Sequence, residues 1–586
     1  MRFRSLSRWS ADPCLDGLKF FAQRLEELLF DYTLDSYKPS ALNAPYLAGE
    51  AISLIADIES GVIDFANLSH VLEELVWSVQ NDKVAKGLLD SDIEYYTNIA
   101  NESELPALKL RLEVLERSIN PLRYLNATLS QLERSIQAIE KSPIDTLARM
   151  LVTTLVNMGL SKQYLYDCVQ ICFFNEGPAI EDVSYLDNFI KLITPKTHSF
   201  QVLLIASKNI QPVADSIGAF KLKISSTAPE GAEEIIEKTK FKPTENELYV
   251  VGSDIRAHDP YGAREAAIRS MDNLSDLISL FLHRAKITWR EPVVVIKKCC
   301  SNEAKCIEAP RGAMDRASDL RPEKAAKELN NLLKSFSAKG LSFSKFNRVA
   351  DIHGICVNHP IIDNQLINLW TALETLTPSH SGASKISNIT SATLPFLLHF
   401  YIQRLVQQIS YDLMNWDKWR VRKILQKVKC DPKTSLLGKC LRLLCLEENE
   451  PLRQGLYEHL KDFHLLRYRF FKLSETLSDK KKVQKLFALH EKKVSWQLRR
   501  IYRARNLIVH SGRTPPPYID TLVENGHHYL DLIVFEVMRL SCGDYRASTL
   551  EQIFEIAKVR YTVFSKKLSE IDTFTSDNCE ILIGAS

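Results

Sequence analysis

Residues 480–513 read KKKVQKLFALHEKKVSWQLRRIYRARNLIVHSGR. Val494, Leu498, Ile501, Arg505 and Ile508 follow one another at steps of four, three, four and three, the period of an α-helix with one apolar face. Ser511-Gly512 offers a C-cap, and Thr514 with Pro515, Pro516 and Pro517 stops the helix. The same period runs outward from this stretch. It predicts helices over 323–338, 343–357, 361–375, 394–414, 418–427, 435–446, 452–477 and 518–539, so that 321–570 reads as one helical domain. Residues 1–141 read as a second, acidic helical domain, with a long pattern over 108–139 interrupted at Pro121. Between them the texture changes. Short apolar runs at 200–206, 219–225, 247–251 and 292–296, with a helix over 261–284, predict a small mixed α/β domain over 142–300. Residues 301–320 read as a linker and 571–586 as an unanchored tail. The expected fold class is predominantly α.

A chain of 586 residues has room for roughly three to four domains, and 45% hydrophobic with 25% charged residues is an ordinary globular composition. Only 20 glycines argue against a turn-dense all-β protein. The opening MRFRSLSRWSADPC lacks the apolar segment of a signal peptide, and no apolar run approaches the roughly 20 residues that span a bilayer. Twelve scattered cysteines fit a reducing cytoplasm, with no membrane partner. Cysteine pairs of the CxxC type do not recur and no histidines fall at finger spacing, so no metal is expected. The absence of GxGxxG and GxxxxGK[ST] leaves no glycine-rich phosphate cradle. Asp254, His258 and Asp259 read as turn formers in preference to ligands.

The formal net charge of +3 conceals two opposed regions. Residues 47–104 hold 12 acids against Lys83 and Lys86, a local net of −10, while 480–513 hold six lysines and five arginines against Glu491, a net of +10. The basic stretch interleaves with Phe487, Trp496 and Tyr502, a combination that suits a polyanion. In that reading Lys481, Lys482, Lys485, Lys492, Lys493, Arg499 and Arg503 take phosphates, and the aromatics stack on unpaired bases. The other reading is a solvated or partner-binding face. The opposed signs also suggest that the acidic helices dock on the basic helix and restrain it.

A guanidinium on an apolar stripe is costly unless it is paired or faces a cleft or an interface, which singles out Arg505. Beside that stripe run Arg499, Arg503, Asn506 and His510, so Asn506 and His510 stack one turn apart with Arg505 flanking them. His510 reads either as a general acid or base or as a cap on the last carbonyls. Residues 501–512, IYRARNLIVHSG, resemble the signature of HEPN-domain ribonucleases, an Arg, a polar residue, a short spacer and a His. The bare pattern recurs here at Arg348–His353 and Arg453–His459. Val349 departs from the motif at the first, and the second begins a helix just after Pro451. The phrase RNLIVHSG, with Trp496-Gln497-Leu498 and Tyr502, is similar to the Apea-like HEPN group. So is LWTALETL over 369–376, where Trp370 and Glu374 lie four apart. The resemblance covers about 321–565.

It implies a HEPN helical bundle and a metal-independent endoribonuclease without cofactor, in which two copies of the Arg–His helix face one another across a cleft. His510 would transfer protons during 2′-hydroxyl attack on RNA, Arg505 would hold the phosphate, and Asn506 would orient either. Glu374 would support them by pairing with Arg505 or a neighbouring arginine. The homodimer would use the apolar stripe that carries Arg505. Relatives of this kind occur in bacterial defence against phage, which implies a trigger such as a phage component or a nucleotide signal, with residues 1–300 as sensor or restraint. A non-catalytic HEPN scaffold that binds RNA or a partner protein is the alternative. An enzyme seated in the α/β segment is a third reading, against which stands the lack of any phosphate loop, nucleophile elbow or metal cluster there.

Overall fold

Helix-forming periodicity over most of the chain becomes helix over most of the chain. The structure is a computed structural model that describes residues 1–29, 34–284, 286–300, 302–315, 319–359, 361–378, 384–512, 516–542 and 545–584. Thr514 and Pro515 of the expected helix stop, residues 316–318 of the expected linker and the last two residues of the tail lie outside these. The chain forms two compact units, Met1–Thr153 with Gly312–Ser586, and Thr154–Arg311. Two regions read from sequence as separate helical domains thus build one unit.

In the first unit the helices used below are α1 (Asp16–Leu29), α2 (Ala44–Glu59), α3 (Ala66–Gln80), α4 (Gly340–Asn358), α5 (Ile362–Leu376), α6 (Lys385–His399), α7 (Lys480–Ser511), α8 (Ile519–Cys542) and α9 (Leu550–Glu570). The last six share a core that includes Val349, Trp370, Phe396, Leu498, Leu530, Ile533 and Ile553. Helix α1 explains why the N-terminal region belongs with them: thirteen of its fourteen residues are buried, polar ones included. Arg24 gives its Nε–H to Asp145 and its Nη1–H to Glu27, each at 2.5 Å. Glu27 also accepts from Arg469 Nη2 at 2.6 Å, and that guanidinium lies 3.4 Å from the Tyr37 ring centre. Charges taken out of water must be paired, and here the partners come from both ends of the chain.

Several boundaries differ from expectation. The expected helix over 452–477 is two helices, Glu450–Leu460 and His464–Leu477, broken at Lys461, whose φ of 37° leaves the helical region. Tyr401–Gln426 is helical on both sides of a kink at Asp417, close to the expected gap after 414. The expected tail is anchored: Cys579 and Leu582 are fully buried, and Glu580 pairs with Arg442 at 3.1 Å. The apolar residues in ILIG were too few to betray a short 3-10 turn.

The second unit carries a five-stranded antiparallel sheet in the order β2-β3-β1-β4-β5. Its strands are β1 (His198–Ser207), β2 (Leu222–Ser225), β3 (Glu247–Ala257), β4 (Val293–Lys297) and β5 (Ala304–Ile307). Strand β5 falls inside the expected linker and pairs with β4. Alternate residues of β1 serve opposite faces. Val202 and Leu204 share a core with Ala267 and Met271 of the helix Pro260–Ser279, and Leu203 and Ile205 belong to a core with Ile236 and Phe241. Asp259 is the N-cap of that helix, accepting from the backbone of Tyr261 and Gly262 and from Ser161. It is a turn former, as its neighbourhood suggested.

Burial of the C-terminal segment gives a direct check. Leu582→Ala is expected to lower stability by about 2–5 kcal/mol in urea unfolding, where an unanchored tail would register no change.

Candidate functional site

Helix α7 starts at Asp479, whose Oδ1 accepts from the backbone of Lys481 at 2.7 Å and Lys482 at 3.3 Å. It ends at Gly512, where φ is +58° and the N–H returns to the Leu507 carbonyl. That left-handed turn is cheap for glycine and strained for other residues. At 1.5 Å per residue the 32-residue helix is about 48 Å long. The charge that clusters in sequence is therefore spread in space, with Lys481, Lys482 and Lys485 about 40 Å along the axis from His510.

One face of α7 is core. Val494, Leu498 and Ile501 are fully buried against α5 and α8 within the same chain. The stripe expected to join two copies is thus already covered, which corrects that expectation for these three residues. The aromatics do not present themselves to bases either. Phe487 is buried against Tyr401 and Phe564, and Trp496 is buried with its ring 5.5 Å from Trp77 of α3. Tyr502 lies with its ring 5.2 Å from Trp370, so the two stretches that carry the HEPN resemblance are packed on one another.

A second face meets the acidic helices. Arg500, with 3% of its side chain exposed, donates Nη2–H to Glu50 at 3.0 Å and to Glu74 at 2.6 Å. Arg503 is also buried and gives its Nη2–H to Glu50 at 2.9 Å. Lys492 pairs with Glu73 at 3.4 Å, and Lys493 lies 5.3 Å from the Trp77 ring centre. The juxtaposition that the opposed charges suggested is present. Burial alone would raise the Glu50 carboxyl, but Arg500 and Arg503 overcome it and hold it at about 2. Burial raises the pKa of Glu74, which has Arg500 but also Glu50 beside it. Arg499 is half-buried, and burial followed by the Arg503 charge pulls its pKa down. Of the expected phosphate contacts, Arg503 is occupied by a carboxylate, Lys482 pairs with Glu475 at 2.9 Å, and Lys481 and Lys485 are exposed.

The end of α7 is different. Arg505 donates Nη1–H to Asn506 Oδ1 at 3.0 Å, and its buried Nε–H meets no acceptor among the described residues. Among the described residues no carboxylate pairs with it. His510 stands exposed in the last turn, one turn beyond Asn506. Glu374 does not pair with Arg505. It accepts from Trp370 Nε1 at 2.5 Å and pairs with Lys385 Nζ at 3.0 Å, because the four-residue step places it over its own tryptophan and beside the start of α6. The structure thus joins Arg505 to Asn506 with His510 one turn further along the same helix, seats Glu374 in a separate ion pair, and leaves Lys481, Lys482 and Lys485 at the far end.

Arg500, Glu50 and Glu74 escaped the reading of the sequence. The signal available was the spacing of Trp496, Arg500 and Arg503 at four and three, a third stripe that shares only Arg503 with the one through Arg499 and Asn506. None of the helices, among the described residues, is long and apolar enough to cross a membrane. No family model matches the chain, and neither a curated protein nor a solved structure similar to it was found.

Removing Arg500 strands two buried carboxylates, so Arg500→Ala is expected to cost about 3–5 kcal/mol in thermal or urea unfolding. The pH dependence of the Glu50 contribution follows from its lowered pKa. A carboxyl held at about 2 against an ordinary 4.5 stabilises the fold above pH 4.5 and loses that contribution as pH falls toward 2. The gap in Tm between wild type and Glu50→Gln should therefore be widest at neutral pH and narrow below pH 4.5.

Proposed function

We propose that this chain is a metal-independent endoribonuclease of the HEPN type, acting at the C-terminal end of α7. The observation that carries the reading is the contrast among its arginines. Arg500 and Arg503 are neutralised by carboxylates, whereas Arg505 has an unsatisfied, desolvated N–H, no acidic partner among the described residues, and an exposed histidine nearby. A buried donor without an acceptor favours an anion, and a phosphodiester supplies one.

In the proposed reaction His510 takes the proton of an RNA 2′-hydroxyl as its oxygen attacks the adjacent phosphorus. The bond to the 5′-oxygen breaks, that oxygen is protonated by an imidazolium, and the products are a 2′,3′-cyclic phosphate and a 5′-hydroxyl. Arg505 stabilises the charge that develops on the phosphoryl oxygens. Asn506, whose carbonyl oxygen is engaged by Arg505, keeps its amide N–H groups for the phosphate or the imidazole. Because Val494, Leu498 and Ile501 lie in the core, a second copy would approach at the last turn, where Val509 is 44% exposed. The docked acidic helices are assigned the role of restraint, and a defence setting with a phage-derived or nucleotide trigger belongs to the same proposal. The alternative is a non-catalytic HEPN scaffold that binds RNA or a partner protein, and capture of Arg500 and Arg503 by carboxylates, which leaves less free charge near the motif, favours its partner-protein form.

RNA cleavage by wild type, Arg505→Ala and His510→Ala, with and without EDTA, separates the readings. The expected result is EDTA-resistant cleavage that leaves 2′,3′-cyclic ends and falls by about 100-fold or more in both variants. Full activity in both variants would sink the site assignment. A Glu50→Gln/Glu74→Gln protein, which loosens the docked helices, is expected to be at least as active as wild type. If wild type and this variant bind RNA without cleaving it, the scaffold reading holds.

A further inference from the structure

Away from the end of α7, helices α4 and α8 bring three metal-binding side chains together. His353 Nε2 of α4 lies 3.1 Å from His527 Nε2 of α8 and 3.3 Å from Asp531 Oδ1. His527 Nε2 lies 3.4 Å from Asp531 Oδ2. One donor atom from each residue falls within a single 4.8 Å cluster. The step from His527 to Asp531 is i to i+4, so one face of α8 presents both, and α4 supplies the third. Their side chains are 7%, 15% and 33% exposed for His527, Asp531 and His353, a site closed on the α8 side and open on the other.

The separations decide what such a cluster suits. Tetrahedral zinc binds nitrogen and oxygen at about 2.0–2.2 Å, which sets neighbouring donors about 3.3–3.6 Å apart. The two separations from His353 Nε2, 3.1 Å to His527 Nε2 and 3.3 Å to Asp531 Oδ1, lie at or close to that range, and His527 Nε2 lies 3.4 Å from the other oxygen of the same carboxylate. Without a cation the two Nε2 atoms face each other across 3.1 Å, which requires one ring to donate and the other to accept. With a cation both present lone pairs and the carboxylate balances charge. Two imidazoles and one carboxylate suit a borderline divalent transition-metal ion.

We infer that His353, His527 and Asp531 form a binding site for a divalent transition-metal ion, zinc being the probe of choice, that clips α4 to α8. Three protein ligands leave a further position for water or another donor. The site shares no residue with Arg505, Asn506 or His510, so it stands or falls apart from the ribonuclease reading and adds no group to that chemistry. The reading of the sequence expected no metal because spacing rules look for ligands close in the chain, and His353 is 174 residues from His527.

The test is zinc titration of the chelator-stripped full chain by calorimetry, with cobalt(II) absorption as a second readout. Cys299→Ser/Cys300→Ser serves as background, since His198, Cys299 and Cys300 form another donor cluster in the second unit. One equivalent of zinc and the visible bands of tetrahedral cobalt are expected. Affinity should fall by about 100-fold or more in His353→Gln and in Asp531→Asn, and remain unchanged in His510→Ala. Circular dichroism of each variant reports whether the helices persist. His353→Gln, at the more exposed ligand, keeps the test valid if Asp531→Asn fails to fold. Absence of stoichiometric zinc binding would reduce the cluster to a hydrogen-bonded His–His–Asp group and overturn the inference. Undiminished binding in both ligand variants would place the ion elsewhere and overturn it equally.

Discussion

The buried guanidinium of Arg500 ties α7 to both α2 and α3. A charge with 3% of its side chain exposed has exchanged water for Glu50 and Glu74, and it keeps its place only while α2 and α3 hold those carboxylates within hydrogen-bond reach. Such a pair is weak evidence of net stabilisation, because desolvation offsets much of the attraction. It is strong evidence of arrangement, because either partner left alone is severely penalised. Once Arg500 is placed, Arg503 falls beside Glu50, Trp496 falls against Trp77, and the faces of α7 are assigned.

That assignment determines which charges of the basic stretch are already partnered. The core takes Val494, Leu498 and Ile501, the acidic helices take Arg500 and Arg503, and the length of the helix carries Lys481, Lys482 and Lys485 about 40 Å away. What is left at the end is Arg505 tied to Asn506, with His510 on a helix terminated by a left-handed glycine. A basic stretch of net +10 is thus divided among several faces and the whole length of one helix. The second ion network, Arg24 with Glu27, Asp145 and Arg469, applies the same rule elsewhere, and together the two networks make one unit from both ends of the chain.

Much of the secondary structure was legible in the chain because its signals are local. The 3.6-residue period of α7, its stop at Ser511-Gly512 and the β-branched runs that became β1, β3 and β4 all depend on neighbours a few positions apart. Strand β5 and the anchored turn at Cys579–Ile583 were missed because short elements carry too few repeats of any period. The placement of Arg505, Asn506 and His510 at one helix end was legible for the same reason that α7 was: all three lie within two turns of one helix.

Residue order was enough to set where the helices run, to concentrate opposite charges in two distant regions, and to put an arginine, an asparagine and a histidine on one helix end. Packing in three dimensions settled which arginine pairs with which acid, that the apolar stripe of α7 is covered within the chain, that Glu374 belongs to Lys385, and that His353 meets His527 and Asp531. The difference is one of range. Backbone hydrogen bonding and side-chain period act over one or two turns, whereas desolvation and ion pairing act between any groups that burial brings together, whatever their separation in the chain.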